Sequence, residues 1–320
     1  MGRRIGLYFS WSRPLETAAR LEVLEHRFPA LFELRRAAWP HFEEMRARDQ
    51  GIAGFLDNVV LSGFERCRAV MKEAAGPDTI LVERTDRDGG MHLLDDELLA
   101  QLDTLIVLGL DNAPTGQRPL QAEIDAIRRF LARSETCVVV SPHHAIGVSD
   151  DPERPGPGDR ARLAAEHAHH GDALVTGQQQ LGDFARALLA AIELPVESRF
   201  GLKPALTSDG APEPLERTGD DDRGLLEGVS TFNAHVHLPH LDVPAQLGAE
   251  VRVLARQRIS PVAPAHPFTN AGNTHFNALV WAPPARDRRG DVLVTDATLW
   301  SSHFGGVASL ERLWQNIATM

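Results

Sequence analysis

Two apolar runs separated by one amphipathic segment constrain this chain most strongly. Residues 104–110 (TLIVLGL) and 136–140 (TCVVV) show no regular polar–apolar alternation, which is typical of strands covered on both faces. Between them, residues 119–132 begin with Pro119 and place their apolar side chains on one side of a helix. Strand, helix and strand at this spacing predict a right-handed crossover between parallel strands. The sequence therefore predicts an α/β fold.

Other segments extend this pattern along the chain. Strands are predicted at residues 5–10, 79–82, 251–254, 278–281 and 292–295, and helices at residues 59–75 and 309–318. We expect a single α/β domain over residues 1–320.

Residues 150–223 interrupt the alternation of strands and helices. The region opens with a loop rich in proline, glycine and charge (DDPERPGPGD, residues 150–159) and continues with predicted helices at 160–170 and 177–192. Its own apolar core looks thin. We therefore expect residues 150–223 to form an insertion or lid within the domain.

Charge and composition limit the partners of this protein. The formal net charge is −11, and the arginine pairs are scattered among acidic residues, so we expect no nucleic acid as a partner. No run approaches the roughly 18 apolar residues of a membrane helix, so no membrane partner is expected. Two cysteines are too few for a disulfide framework, and a cytoplasmic location is the expectation. A small-molecule substrate is expected, and a homo-oligomer is left open.

Three pieces of the chain form a recognisable combination. They are the strand at 103–110 with Glu123 in the helix that follows, the strand at 137–141 with its turn at 141–144, and the strand at 290–296 with Trp300, Trp314 and Asn316 after it. Together they cover a third to a half of the chain, and they resemble the class I glutamine amidotransferase-like superfamily, including its trehalose-utilisation-like branch. The resemblance implies a flavodoxin-like three-layer sandwich with a mostly parallel sheet.

The turn after residue 141 departs from that superfamily. Its members carry a nucleophilic cysteine at this turn, whereas this chain has Pro142, His143 and His144 there. Neither Cys67 nor Cys137 belongs to the turn. Thiol-based glutaminase chemistry is therefore not expected, and any activity must use other side chains.

Histidines are the main candidates for such chemistry. In an open parallel sheet, ligands bind beyond the carboxyl ends of the strands, where His143, His144 and Asp296 are expected. His235 and His237 are two residues apart on a segment expected to be extended, so both would project to one face. We predict that His143, His235 and His237 bind a divalent transition metal (Zn, Fe or Mn), with His144 or Asp296 as general acid or base.

Structural roles compete with these assignments. For His235 and His237 a structural role is the alternative to metal binding. The cluster at residues 166–172 is interpreted as a helix end that favours cationic histidine. The metal-dependent hydrolase of a small amide, ester or similar polar substrate is the first hypothesis. A non-catalytic amidotransferase-like sensor or complex subunit is the alternative. A metal-free enzyme with a His–Asp pair beneath the lid is the third.

Overall fold

The computed structural model describes residues 2–17, 56–146, 157–170, 179–285 and 288–320. The lid prediction for residues 150–223 falls partly outside these ranges.

The strands of the described residues form one large and one small sheet. In chain order they are β1 (Ile5–Ser12), β2 (Thr79–Thr85), β3 (Thr104–Gly109), β4 (Cys137–Pro142), β5 (Ala145–Ile146), β6 (Gln179–Gln180), β7 (Glu197–Leu202), β8 (Glu216–Arg217), β9 (Leu238–Asp242), β10 (Arg252–Arg258), β11 (His275–Ala282) and β12 (Asp291–Thr295). The large sheet has the order β2-β1-β3-β4-β12-β11-β10-β8, and the small sheet has the order β6-β5-β7-β9. The first five strands of the large sheet are mutually parallel, and β11, β10 and β8 continue it antiparallel.

Helices follow most of these strands. They are α1 (Arg13–Thr17), α2 (Ser62–Ala75), α3 (Asp96–Ala100), α4 (Gln121–Leu131), α5 (Pro157–His170), α6 (Asp183–Ala191), α7 (Pro267–Asn270) and α8 (Val307–Ala318). A π-helical segment, Leu56–Leu61, precedes α2, so the helix predicted from residue 59 begins three residues later.

The predicted crossover connects β3 and β4, two neighbouring strands in the middle of the large sheet. β3 and β4 pair in parallel with Thr104 opposite Cys137, and every residue of both strands is buried. The Glu123 carboxylate begins α4 by accepting from the Leu120 N–H at 2.8 Å, and it also accepts from the Leu94 N–H at 3.1 Å. Burial on both faces explains why these strands are predominantly apolar.

Two apolar clusters cover opposite faces of the large sheet. One contains Phe64 and Met71 of α2 together with Leu313 and Trp314 of α8. The other contains side chains of α3, α4 and α6, such as Leu99, Phe130, Phe184 and Leu188. Helices therefore lie on both faces of a mostly parallel sheet, and the expected flavodoxin-like α/β fold is confirmed.

The region at 150–223 contributes to both sheets and to one helical layer. Helix α6 packs on β3 and β4, and β8 pairs with β10 at the edge of the large sheet. The predicted start of α6 was wrong, because Gln179 and Gln180 pair with β5 and Gly182 has a φ of +82° before the helix begins. A lid role for the region as a whole stays a prediction.

Candidate active site

The candidate site lies where β4 and β12 end side by side. Val140 is opposite Val294 in the parallel register, so the residues that follow both strands emerge at one edge of the sheet. His143 and His144 follow β4, and Asp296 follows β12. The topology thus places three of the predicted residues at the carboxyl ends of neighbouring strands, where open α/β sheets bind ligands.

A hydrogen bond joins His143 to Asp296. His143 Nδ1 lies 2.6 Å from Asp296 Oδ2, and the two residues are 4% and 3% exposed. The other oxygen, Asp296 Oδ1, accepts from the Thr298 N–H at 2.9 Å and from the Thr298 hydroxyl. Because both carboxylate oxygens are used as acceptors, His143 donates its Nδ1 proton and presents the Nε2 lone pair away from Asp296.

His235 and His237 join the same cluster from the segment before β9. The ring centroid of His235 lies 5.1 Å from that of His143, and the ring of His237 lies 5.2 Å from that of His144. His143 and His144 are 4.1 Å apart, and His235 and His237 are 5.4 Å apart. Four imidazoles predicted from separate parts of the sequence thus lie together with Asp296, and we refer to them as the histidine site.

A hydrogen bond from the backbone of His237 determines the tautomer of His235. The backbone N–H of His237 donates to His235 Nδ1 at 3.2 Å, so a neutral His235 carries its proton on Nε2. The His235 ring also packs edge-on against Phe304, with centroids 4.5 Å apart. His235 is therefore held as a hydrogen-bond donor.

Burial keeps His237 neutral. Loss of hydration lowers the pKa of His237 to about 3, and the nearby His235 and His143 add to the effect. A neutral imidazole keeps a lone pair at physiological pH, as both a base and a metal ligand require.

Arg186 and Ser198 hold the backbone of His143. Arg186 Nη1 and Ser198 Oγ donate to the His143 carbonyl at 3.0 and 3.1 Å. Arg186 also donates to Asp183 at 2.7 Å, so it links the His143 carbonyl to the first turn of α6. Sequence reasoning did not identify either residue, because their role depends on how α6 and β7 pack beside β4.

Asp111, which follows the carboxyl end of β3, has a buried carboxyl group near the first turn of α6. Its Oδ1 lies 2.6 Å from Ser10 Oγ, and its Oδ2 accepts from the Phe184 N–H at 3.1 Å. Burial raises the pKa of Asp111 to about 6. Ser10 Oγ also lies 3.1 Å from the Leu108 carbonyl, and its single proton cannot serve both acceptors. A proton on Asp111 satisfies both contacts.

His169, near the end of α5, has a separate, structural role. His169 Nδ1 donates to the Pro264 carbonyl at 2.8 Å, and Nε2 accepts from the Lys203 N–H at 3.0 Å. Burial lowers the pKa of His169. His169 therefore links α5 to two loops as a neutral ring, and the expectation of a cation at the helix end was wrong for this residue.

Metal binding is not evident from the arrangement of the described side chains. Within the described ranges, no group of three or more His, Cys, Asp or Glu side chains is arranged to hold a metal ion. A ligand role for His235 Nε2 would require its proton to leave that nitrogen, against the hydrogen bond from the His237 N–H. The metal assignment stays a prediction.

Neither cysteine is available for catalysis. Cys67 and Cys137 are free thiols without exposed surface, and burial raises the pKa of Cys137 to about 12. Thiolates are the reactive form, so both residues are interpreted as core side chains.

Comparisons with known proteins find similarity at the level of structure. No protein-family model matches the sequence. No curated protein matches it either. The N-terminal domain of mmIFT52 is similar with a TM-score of 0.47 and 10% identity over 81% of this chain and 91% of that one. A ThuA-like protein from Bacteroides uniformis ATCC 8492 is similar with a TM-score of 0.40 and 10% identity over 98% of this chain and 91% of that one.

Among the helices of the described residues, none combines the length and apolar character needed to cross a bilayer.

Proposed function

We propose that this protein hydrolyses a small polar amide, ester or similar substrate at the histidine site. The observation that carries the proposal is the buried hydrogen bond of 2.6 Å between His143 Nδ1 and Asp296 Oδ2. A carboxylate that holds one imidazole nitrogen sets the tautomer and makes the other nitrogen a base. In this proposal His143 is the general base and Asp296 orients it, which differs from the metal-ligand and acid–base roles expected from the sequence.

The proposed reaction needs two groups from the cluster. His143 Nε2 takes a proton from water as the water oxygen bonds to the substrate carbonyl carbon. His235 Nε2–H donates to the carbonyl oxygen, which gains negative charge as the tetrahedral intermediate forms. The bond to the leaving nitrogen or oxygen then breaks, and the proton held by His143 passes to the leaving group.

Substitution of the pair tests this proposal. We expect His143→Ala and Asp296→Asn each to lower kcat/KM for a small ester such as p-nitrophenyl acetate by about 10²- to 10⁴-fold. The amide introduced by Asp296→Asn has one acceptor oxygen where the native carboxylate uses two, so it must place an NH₂ group against either His143 or Thr298. The double variant should lose little more than either single variant, because the two side chains act as a unit.

An exposed histidine–aspartate pair provides the matched control. His92 Nε2 lies 3.0 Å from Asp86 Oδ2 on a surface turn, and His92→Ala should leave kcat/KM unchanged. Hydrolysis that persists in purified His143→Ala would refute the proposed base. Lack of turnover with every ester and amide tested would favour a non-catalytic sensor or complex subunit.

A metal-dependent form of the same hydrolysis is a second candidate. It is favoured by four imidazoles with neighbouring centroids 4.1–5.4 Å apart, and by Asp296 behind His143, since metal-ligating histidines donate their other N–H to such carboxylates. His143, His235 and His237 would hold Zn, Fe or Mn, which makes bound water a better nucleophile.

Elemental analysis separates the two forms of the proposal. The metal-dependent form predicts about one metal ion per chain in the wild type and none in a His235→Ala/His237→Ala double variant. If wild-type protein reconstituted with Zn, Fe or Mn retains no metal while hydrolysis remains, the metal-free form stands.

The remaining assignments are proposals of the same kind. We assign the chain to a branch of the amidotransferase-like superfamily that lacks the nucleophilic cysteine. From the sequence we also propose a cytoplasmic location and a small-molecule substrate. We propose no nucleic-acid or membrane partner.

A further inference from the structure

Phe200 has a backbone conformation that its side chain does not favour. Its φ is +62°, and the pairing of β7 with β9 is irregular between Arg199 and Leu202. The other described non-glycine residues with positive φ are Glu135 and Glu193, which lie shortly after the ends of α4 and α6, where left-handed residues are common. Phe200 lies inside a strand and is bulky, so its left-handed conformation is a genuine outlier. Such outliers persist where the structure requires a particular side-chain direction.

The ring of Phe200 belongs to a cluster of four rings. We define the aromatic cluster as Phe200, His240, His266 and Phe268. The Phe200 centroid lies 5.0 Å from His266, 5.4 Å from Phe268 and 6.5 Å from His240, whose plane is within 18° of parallel to it. His240 and Phe268 are 4.7 Å apart. His266 is fully buried, whereas the other three residues are partly exposed.

His240 behaves as an uncharged member of this cluster. The Asn277 N–H donates to His240 Nδ1 at 3.2 Å, which orients the ring. Burial lowers the pKa of His240 to about 4. At neutral pH the ring therefore presents a neutral π-face to its surroundings.

Two short stretches of chain connect the aromatic cluster with the histidine site. Phe200 pairs with Ala145, which is two residues beyond His143. His240 is three residues beyond His237. At about 3.3 Å per residue of extended chain, the Cα atoms of His237 and His240 are at most about 10 Å apart. One small molecule spans that distance.

We propose that the aromatic cluster binds a planar aromatic group of the substrate, so that the histidine site acts on an aryl amide or aryl ester. This substrate class rests on the proposed hydrolysis, but ring binding does not depend on turnover. The β7 irregularity turns Phe200 towards His240 and Phe268, and these rings form a stacking surface for one end of a substrate whose carbonyl group lies at His143. Rings that only fill space beneath a loop would show no preference for an aromatic ligand over a saturated one.

A pair of matched amides tests the proposal by binding alone. Benzamide and cyclohexanecarboxamide share the amide group and the ring size but differ in aromatic character. We expect benzamide to bind the wild type about two- to tenfold more tightly, the range expected for one aromatic pair, as measured by calorimetry or ligand-detected NMR. Phe200→Leu should reduce that preference.

Two more variants keep the test interpretable. Phe200→Gly removes the ring and accommodates the positive φ, so it remains informative if Phe200→Leu does not fold. His143→Ala should keep the benzamide preference while losing hydrolysis. If benzamide binds with this preference but no variant or wild type turns over an aryl ester, the ring site stands and the proposed hydrolysis fails. Equal binding of the two amides by the wild type, or a preference unchanged in folded Phe200→Leu or Phe200→Gly, would overturn the ring site.

Discussion

At the scale of single residues, hydrogen-bond direction determines what the histidines can do. His143 donates from Nδ1 to Asp296, and His235 accepts at Nδ1 from the His237 N–H. These two rings therefore present opposite groups at Nε2, a lone pair on His143 and an N–H on His235. A base and a donor beside each other suit attack on a carbonyl group, which is why a metal-free mechanism is proposed first.

Titration of Asp111 should make the free energy of unfolding depend on pH. The pKa of Asp111 is about 6 in the folded state and about 3.9 in an unfolded chain. The folded state thus holds more protons between pH 4 and 6, so the free energy of unfolding falls as pH rises through this window, by up to about 3 kcal/mol.

Asp111→Asn should remove this pH dependence. The Asn amide can donate to Ser10 Oγ and accept from the Phe184 N–H, so the native contacts are kept. We expect the variant to gain stability relative to the wild type as pH rises from 4 to 7, measured by urea unfolding at several pH values. Asp88→Asn, on an exposed turn, is the control. Parallel wild-type and Asp111→Asn curves would contradict the assignment.

At the scale of elements, the first turn of α6 positions the histidine site. Gly182 precedes α6 with a φ of +82°, and its N–H donates to the Asp111 carbonyl at 2.9 Å. A Cβ atom on Gly182 would lie 2.8 Å from the backbone nitrogen of His143 and from the carbonyl oxygen of Gly109. The helix therefore approaches β3 and β4 as closely as backbone atoms permit.

Gly182→Ala tests this close approach, and Gly210→Ala is its matched control. Gly210 has the same φ of +82°, but a Cβ atom there would have no neighbour within 4 Å. Gly210→Ala should cost about 1–2 kcal/mol from the backbone conformation alone. Gly182→Ala should cost clearly more in urea unfolding and should also lower any hydrolytic activity. An equal loss of unfolding free energy in the two variants would show that the structure accommodates the added Cβ atom beside His143.

At the scale of the whole molecule, strand order assembles the candidate site from distant parts of the chain. β12 lies beside β4, so Asp296 reaches His143 across 153 residues of sequence. The segment before β9 then adds His235 and His237. The small sheet carries Phe200, which pairs with Ala145, and His240, which is three residues beyond His237. The site thus depends on long-range pairing, which no local pattern specifies.

Local sequence alone determined the strands of the central sheet and the positions of several histidines after them. Apolar runs such as residues 104–110 predict strands buried on both faces because burial depends on the side chains of the run itself. The placement of His143 and Asp296 at strand ends follows in the same way. Tertiary structure alone decided that His143 and Asp296 form a hydrogen bond and that α6 of the 150–223 region packs on the central strands. It also decided the left-handed backbone conformation of Phe200. These features arise from contacts between residues far apart in the chain, and hydrophobic periodicity carries no information about which distant partners meet.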